Sequence, residues 1–565
     1  MASGKYLINR IHKEKGFVSK KKAEKIAGEE KKTFSSLYEF LSFYTLFKTK
    51  EKAKHTVRVC KNLSCHVDNG NKILEKLKET LGVDPRERTP DGEFALEETS
   101  CLGACALSPA LMIDEITFAN VTPDMIPLLI KEFKKQKIKP LKIPISAPYG
   151  KFLLRNVYEI DPFDIEEYIK KGGYQALKKA LERKDSFIIE EIKNSGLRGR
   201  GGAGFPTGLK WEFVKKEKEK PKFVICNADE GEPGTFKDRI LIENDPYSVI
   251  EGMIIAGFAI GAEKGIIYIR GEYEMGFRIL ENAINQAREK GFLGENISGS
   301  DFCFDIEIVK GAGSYVCGEE TALIESVEGK RGEPRKKPPY PSNKGLYGKP
   351  TLINNVETLA NVPLILLKGS EWFNKRGTVL LSLSCDFNWK GVCEIPLGTS
   401  LEYVVNEIGK GIKDGKLKFL ILGGVSGNII LPHDVDVKLD YEDLYGINKS
   451  LGSGAIIALN EKRCSVDVAK NIIEFFRHES CGKCIPCMRG TEESARIIRD
   501  IWEGNGIQRD IELLFEIAET MELSSFCPLG QTALKVIKEL ILEFREEWDT
   551  HIKEKVCPLG VCGNE

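Results

Sequence analysis

Hydrophobic and polar positions change their period several times along the chain, and each change marks a unit. In residues 1–50, Leu37, Phe40, Leu41, Tyr44 and Phe47 recur at helical spacing between lysine-rich breaks, which predicts a small helical cap with one apolar face. Residues 55–60 alternate with period two and predict a strand. A helix is expected over 71–81, a turn at Pro90-Asp91-Gly92, strands over 94–98 and 110–113, and a closing helix over 123–135. These pieces describe a compact α/β unit over 51–137. Residues 136–150 are rich in Pro and Lys and read as a linker. Over 150–370, helical segments alternate with apolar strands such as 223–226 and 265–269, the pattern of a parallel sheet with helices on both faces. Residues 371–445 are rich in strands around a Gly423-Gly424 turn, and 446–565 turn helical from Val466, interrupted by cysteine motifs.

Composition narrows the picture. A chain of 565 residues is too long for one core and suggests several domains. Its 83 basic and 84 acidic residues nearly cancel, which argues against nucleic acid or an anionic membrane as the main partner. The N-terminus has no apolar signal core, so a cytoplasmic protein is expected. The apolar stretch 253–260 is too short to span a bilayer and reads as a buried helix, so no membrane insertion is expected. Sixteen cysteines in such a chain point to metal sites or catalysis rather than to disulfides. Cys226, Cys303, Cys317, Cys385 and Cys393 stand alone and read as small buried hydrophobes.

Cys60 and Cys65 form C-x4-C, and Cys101 and Cys105 form C-x3-C, each pair just after an expected strand. Four thiolates converging from strand ends satisfy a [2Fe–2S] cluster or a zinc ion, and Gly103-Ala104 lets the backbone pass close enough to donate N–H groups to sulfur. The spacing and its neighbours, with the preceding helix through Tyr44, resemble the thioredoxin-like ferredoxin that is also the small subunit of respiratory NADH dehydrogenase (complex I). The resemblance spans roughly residues 5–135 and implies the [2Fe–2S] cluster.

The segment from Leu197 to Trp211 is the most unusual. Gly199, Gly201 and Gly204 fit G-x-G-x-x-G, but residues 187–194 read as helix where a dinucleotide fingerprint needs a strand. Its glycines still expose backbone N–H groups, and Arg200 and Lys210 add positive charge, so the loop can wrap a phosphate or admit a flat ring. Asn227, Asp229, Glu230 and Glu232 follow an apolar strand, where open α/β sheets bind ligands. A glycine turn at 311–318 opens a helix with Glu319 and Glu320, and Lys337 to Tyr340 form a rigid aromatic loop.

Over about 162–532 these segments resemble the flavoprotein subunit of complex I and its relatives among NAD-linked hydrogenases and formate dehydrogenases. The resemblance implies FMN held by Gly199, Arg200, Gly201, Lys210, Asn227, Asp229, Glu230, Tyr315, Gly318, Glu319, Asn354, Asn355 and Thr358. It implies NADH held by Phe205, Phe213, Glu232, Glu320, Lys337 and Tyr340, with the rings stacked on adenine and Glu232 positioning the nicotinamide side. Phe213 as ordinary core and Thr358 as an ordinary helix residue are the bland alternatives.

Cys481, Cys484 and Cys487 form C-x2-C-x2-C, and Cys527 is followed by Pro528; three close thiolates and a remote fourth are a [4Fe–4S] pattern. The flavoprotein family has the same motif beside FMN. His551, Cys557 and Cys562 offer three ligands for zinc, and Cys464 offers a fourth. An incomplete cluster motif, or ligands completed by a partner chain, are the alternatives. The surroundings of Cys464 resemble the NADH-binding subunit of multimeric iron hydrogenases, a soluble group that includes flavin-bifurcating members, more than they resemble complex I.

The expected architecture is multidomain α/β and α+β: a helical cap (1–50), a thioredoxin-like [2Fe–2S] domain (51–137), a Rossmann-like FMN/NADH domain (150–370), a β-grasp domain (371–445) and a helical bundle with the [4Fe–4S] site and the C-terminal metal motif (446–565). The resemblance implies hydride exchange between NAD(H) and FMN, with single electrons passing through the clusters to or from iron–sulfur and catalytic subunits of a larger complex, such as a hydrogenase or formate dehydrogenase. A membrane complex I module and a non-enzymatic metal-binding scaffold are the competing expectations.

Overall fold

A computed structural model of the chain describes residues 6–14, 17–49 and 51–563. The first five residues of the expected cap and the last two of the chain lie outside the described residues. Three sheets organise the rest.

The first sheet runs in the order Phe94–Thr99, His55–Cys60, Leu111–Ile113, Ile116–Phe118. Its first pair is parallel and the others antiparallel. Alternation decides the faces. Val57 and Val59 pack with Ile73, Leu74 and Leu77 of the helix Gly70–Leu81. Cys60 therefore points to the other face, where it meets Cys65 and Leu102.

The second sheet is all parallel, in the order Asp305–Lys310, Lys264–Ile269, Phe223–Ala228, Thr351–Asn355. Val224, Cys226, Ile267, Ile269 and Leu352 face the helices Pro246–Ile260 and Val356–Lys368. The first of these helices is apolar on nearly every side because it is buried on nearly every side, and its one carboxylate, Glu251, is hydrogen-bonded to Tyr168, Tyr174 and Leu177. It starts where the Asp245 carboxylate caps the Ser248 N–H, with Pro246 in the first turn, and stops at Gly261, whose φ is +73°. The opposite face, Phe223, Ile225, Ile266, Tyr268, Val309 and Ile353, is covered by the cap helices Leu7–Lys13, Lys20–Glu29 and Phe34–Phe43. The apolar stripe of the cap thus packs on this second sheet, and toward the ferredoxin-like unit that it accompanies in the resemblance the cap reaches through an ion pair, Lys48–Glu97 (2.8 Å). Asn9 stitches the edge strand: its amide donates to the Ile308 carbonyl (2.8 Å) and its Oδ1 accepts from the Lys310 N–H (2.9 Å).

The third sheet is mixed, in the order Asn428–Ile430, Leu417–Leu422, Ala455–Asn460, Thr378–Cys385, Gly391–Pro396, Ile145–Ser146. Two of its strands come from outside 371–445. Ala455–Asn460 fills the middle of the sheet, and Ile145–Ser146, inside the segment read as a linker, adds the edge. Two residues, one apolar and one polar, among prolines give too weak a period to be found in the sequence.

From Ser465 six helices follow: Ser465–Glu479, Ile485–Trp502, Gln508–Ser524, Pro528–Thr532, Lys535–Glu543 and Arg545–Lys553. Their apolar stripes, for example Ile497, Ile498 and Ile501, share a core with Phe419, Ile421 and Ile457 of the third sheet. Among the described residues no helix is long and apolar enough to cross a membrane.

Candidate functional site

The C-terminal ends of the parallel strands gather the polar residues, as open α/β sheets do. The glycine-rich loop lies above them, between the helices Asp185–Asn194 and Thr207–Lys216, with no strand before it. The Gly199 N–H donates to the Phe205 carbonyl (2.9 Å) and the Thr207 N–H to the Leu197 carbonyl (2.9 Å), so the loop is closed on itself and not a free linker. Arg200 is buried: its N–H donates to Thr358 Oγ1 (2.9 Å), Nη1 to the Tyr441 hydroxyl (2.8 Å) and Nη2 to the Thr378 carbonyl (3.2 Å). Its Nε, like Thr207 Oγ1, is buried with no hydrogen-bond partner. Glu357 Oε1 lies 3.7 Å from that Nε, an ion pair without a hydrogen bond, and a guanidinium fixed in this way beside a glycine turn suits a phosphate. Gly201 passes so close to Asn355 that a Cβ would lie 3.3 Å from the Asn355 Cβ. Asn355 caps the helix Val356–Lys368 through the Glu357 and Thr358 N–H groups and donates to Asp238 (2.5 Å). Asn354 accepts from the Trp211 indole (2.8 Å). Thr358 is therefore tied to the loop, not an ordinary helix residue.

Deeper in, Asn227 donates to the Gly318 carbonyl (2.8 Å) and its Oδ1 accepts from the Asp229 N–H (3.1 Å). Glu230 accepts from the N–H groups of Asp238 (2.8 Å) and Arg239 (3.0 Å) and from the Tyr273 hydroxyl (3.0 Å). Burial, with Asp238 beside it, pushes the Glu230 carboxyl up to about 7. Burial also raises Asp229 well above the usual carboxylate range. Glu232 accepts from the Tyr315 hydroxyl (2.5 Å) and from the Ser426 N–H (2.9 Å), and burial outweighs both bonds to push it up to about 7. Glu319 caps the helix Glu320–Val327 and pairs with Lys337 (2.7 Å). Burial would raise Glu320, but Lys210, at 2.9 Å, and Lys337 outweigh it and hold it below the usual range. Phe205, Phe213 and Tyr340 are about half exposed at the mouth, and the two Phe rings lie 6.3 Å apart. Half exposed, Phe213 is not ordinary core, and large rings left in water offer faces on which a flat ligand can stack.

The four N-terminal cysteines converge. Cys101 Sγ is 3.3 Å from Cys105 Sγ, Cys60 neighbours Cys65 and Cys101, and the Gly103 N–H donates to Cys101 Sγ (3.4 Å). All four are buried, so four thiolates there need a metal centre to offset their charge. Cys481, Cys484, Cys487 and Cys527 line one pocket together with Val316 and Leu529. Burial pushes Cys487 up to about 11 and Cys527 up to about 12, while the N–H groups of Gly530 and Leu529 turn toward the Cys527 sulfur. Four sulfurs and backbone donors around one pocket are the donor set of an iron–sulfur cube.

Glu479, two residues before Cys481, joins the sites. Its carboxylate accepts from Ser100, next to Cys101, and from the Tyr315 N–H (2.8 Å). Both cysteine sets and the Tyr315 loop therefore meet at one buried side chain. Finally, the ligand atoms of Cys464, His551, Cys557 and Cys562 all lie within 4.8 Å of one another, and all four residues are buried. Cys464 Sγ is 3.3 Å from His551 Nε2, and Cys562 Sγ is 3.8 Å from it. Cys562, then His551, hold the Cys464 thiol down to about 5 against the effect of burial. Three sulfurs and one imidazole in one cluster match a closed tetrahedral zinc set, and Cys464 supplies the fourth ligand within this chain.

Tyr441, Ser426, Glu479, Arg239, Arg270 and Tyr273 were missed in the sequence. Glu479 borders the Cys481 motif and Arg239 closes the polar segment after Cys226, while the others come from segments with no motif of their own; only the packing shows what each one reaches.

A phosphate-gripping cleft at the ends of a parallel sheet, flanked by two four-cysteine sites, defines a flavin- and iron–sulfur-carrying oxidoreductase subunit. Three family models match the chain: the thioredoxin-like [2Fe-2S] ferredoxin over residues 6–134, the Nuo51 FMN-binding domain over 192–364, and the NADH-ubiquinone oxidoreductase-F iron-sulfur binding region over 467–551. An NADH-quinone oxidoreductase F subunit of Rhizobium meliloti (strain 1021), the one numbered 2, is 47% identical over 72% of this chain and 98% of its own length. The NADP-reducing hydrogenase subunit HndC of Solidesulfovibrio fructosivorans is 45% identical over 72% of this chain and 84% of its own. The NAD-reducing hydrogenase HoxS subunit alpha of Cupriavidus necator is 37% identical over 92% of this chain and 87% of its own. In the crystal structure of the NAD+-reducing [NiFe]-hydrogenase in its air-oxidized state, one chain superposes with a TM-score of 0.85 at 30% identity, covering 98% of this chain and 94% of that one. The chain belongs to the family of NADH-quinone oxidoreductase F subunits and NAD-reducing hydrogenase subunits.

Proposed function

We propose that this chain is the NADH-oxidising subunit of a larger redox complex, which exchanges a hydride between NAD(H) and FMN and passes single electrons to or from partner iron–sulfur and catalytic subunits. The observation that carries the reading is the meeting of three sites at Glu479, because electrons pass between centres only over short distances. Bound FMN converts an electron pair into single electrons, and the [4Fe–4S] and [2Fe–2S] centres relay them. The residues provide grip and geometry. Arg200, Lys210, Asn354, Asn355, Thr358 and the close-passing backbone at Gly199 and Gly201 would line the phosphate end of FMN. Asn227, Asp229, Glu230, Tyr315, Gly318 and Glu319 would hold the rest. Phe205, Phe213 and Tyr340 would stack on the adenine of NADH, with Lys337 and Glu320 beside it, and Glu232 would accept a hydroxyl and orient the nicotinamide. Hydride transfer needs no protein acid or base, so Glu232 is a positioning residue.

Within this reading Cys60, Cys65, Cys101 and Cys105 hold [2Fe–2S]; Cys481, Cys484, Cys487 and Cys527 hold [4Fe–4S]; and Cys464, His551, Cys557 and Cys562 hold zinc. The chain divides into a cap (1–50), a ferredoxin unit (51–137), a flavin unit (150–370), a β-grasp unit (371–445, extended by Ala455–Asn460) and a cluster-bearing helical bundle. A cytoplasmic site of action belongs to the same reading. A hydrogenase-type complex is favoured over a respiratory one, because likeness to the HoxS subunit runs over 92% of this chain whereas likeness to the Rhizobium F subunit runs over 72%.

The test is anaerobic purification of the full chain, extraction of flavin, counts of iron, sulfide and zinc, and NADH- and NADPH-dependent viologen reduction. One FMN and about six irons per chain are expected, two for one cluster and four for the other. A colourless protein without flavin or inorganic sulfide would refute the proposal.

A further inference from the structure

The loop that carries Cys101 and Cys105 is gripped from the flavin domain. Arg270, just after the strand Lys264–Ile269, is buried and donates from Nη2 to the Cys101 carbonyl (2.6 Å) and from Nη1 to the Glu230 carbonyl (2.6 Å). Arg239, in the helix Lys237–Asn244, donates from Nη1 to the carbonyls of Leu102 (2.9 Å) and Gly103 (3.3 Å). Three consecutive carbonyls of the ligand loop therefore end on two guanidinium groups. Between the arginines stands Tyr273, fully buried, 4.6 Å from the Arg239 guanidinium carbon and 5.1 Å from that of Arg270. Its hydroxyl donates to Glu230 (3.0 Å). Its ring fills the space beside Gly103 so closely that a Cβ there would collide with it, and Gly103 has φ +65°.

Each arginine is also paired with a buried carboxylate, Glu243 for Arg239 (2.9 Å) and Glu272 for Arg270 (3.1 Å). Buried charges persist only when paired and hydrogen-bonded, so these pairs fix where the positive ends point: toward the sulfur loop. Packing alone needs no charge, and an apolar pair would fill the same volume.

We propose that Arg270, supported by Arg239 and Tyr273, is a positioning residue of the [2Fe–2S] centre that sets its electron affinity from the flavin domain. Hydrogen bonding and local charge are the levers by which a protein tunes such a centre. A fixed positive charge favours the more negative, reduced cluster. Replacing Arg270 by a neutral side chain also leaves Glu272 unopposed, and both changes make the cluster harder to reduce. The inference rests on the assignment of [2Fe–2S] to Cys60, Cys65, Cys101 and Cys105.

The test is an equilibrium redox titration of the full chain with mediators, read by the electron paramagnetic resonance of the [2Fe–2S] centre. In Arg270→Gln the ratio of reduced to oxidised cluster, at the potential where the native centre is half reduced, is expected to fall about tenfold, with iron and FMN per chain unchanged. Arg270→Lys, which keeps the charge but only one of the two carbonyl contacts, is expected to shift it in the same direction by less. A folded Arg270→Gln protein whose ratio equals the native one overturns the proposal. If Arg270→Gln yields no folded protein, Arg270→Lys and Arg239→Lys are titrated in the same way, and native ratios in both overturn it. Absence of any [2Fe–2S] signal in the native chain would instead remove the assignment beneath it.

Discussion

At the scale of single residues, Glu232 is the side chain whose chemistry is easiest to test. It belongs to the flavin domain, yet one of its two hydrogen bonds comes from the Ser426 amide of the third sheet, and Gly424, with φ +87°, leaves the room its side chain occupies. The carboxyl stands at about 7 instead of its ordinary 4.5, mainly through burial; Tyr315 and Ser426 lower it, and Cys101 adds a raising influence at longer range. A carboxyl raised on folding contributes stability that is present below 4.5 and lost as pH rises through about 7, so the protonated form is the one the fold prefers. A carboxylate that accepts hydroxyls of NADH is the ionised form, so the KM for NADH is expected to fall as pH rises through about 7. Glu232→Gln should raise the KM about tenfold, the worth of one charged hydrogen bond of ~1.5 kcal/mol, and flatten its pH dependence. Steady-state viologen reduction from about pH 5.5 to about 8.5, which brackets the step on both sides, checks both effects; a variant that keeps the native step assigns the titration elsewhere. Glu232 was legible in the sequence because four polar residues follow an apolar strand. Ser426 and Tyr441 were illegible because a backbone amide and a lone tyrosine carry no motif, however close folding brings them.

At the scale of elements, most helices and strands could be read from their periods, and the exceptions have physical causes. The strand Ile145–Ser146 exists because a neighbouring edge, Gly391–Pro396, offers it hydrogen bonds, not because its own sequence demands one. Ala455–Asn460 is apolar on both faces and sits between two long strands of the third sheet; a short apolar run cannot say which sheet will take it. The C-terminal element shows the reverse case: the sequence offers Cys464 as a fourth ligand beside other readings, and folding brings all four groups together. Cys464 immediately precedes the helix Ser465–Glu479, while His551 lies on the helix Arg545–Lys553 and Cys557 and Cys562 follow it. A zinc ion on these four would pin the end of the chain to the start of the helical region. Cys557→Ser is expected to reduce bound zinc from about one per chain to near zero and to loosen the helix Arg545–Lys553, with flavin and iron contents retained. Metal analysis with hydrogen exchange of residues 545–563 measures both. Unchanged exchange after complete loss of zinc would leave the ion without a structural part.

At the scale of the whole molecule, the cap inverts what its place in the sequence suggests. The cap helices and the ferredoxin unit are consecutive, and the resemblance treats them as one piece, but the apolar stripe of the cap lies in a core with Phe223, Ile225, Ile266 and Tyr268 of the flavin-domain sheet. Helical spacing told which residues would be buried and could not tell against what. The cap also holds the glycine turn at the ligand end of that sheet: the Thr45 and Leu46 N–H groups donate to the Gly313 (3.2 Å) and Ala312 (3.0 Å) carbonyls, and the Tyr44 hydroxyl donates to Ser326 (2.8 Å). A parallel sheet must be covered on both faces, so loss of cap packing should be felt by the flavin site before the [2Fe–2S] unit. Leu37, fully buried in that shared core, is a clean probe. Leu37→Ala removes apolar contact and leaves a cavity worth about 2–5 kcal/mol. The expected outcome is weaker FMN retention on gel filtration and faster proteolysis within the flavin domain, with the [2Fe–2S] signal per chain close to native. If the cap instead served the ferredoxin unit, the same substitution would bleach the [2Fe–2S] centre and spare the flavin, and that pattern would refute the assignment of the cap to the flavin-domain sheet.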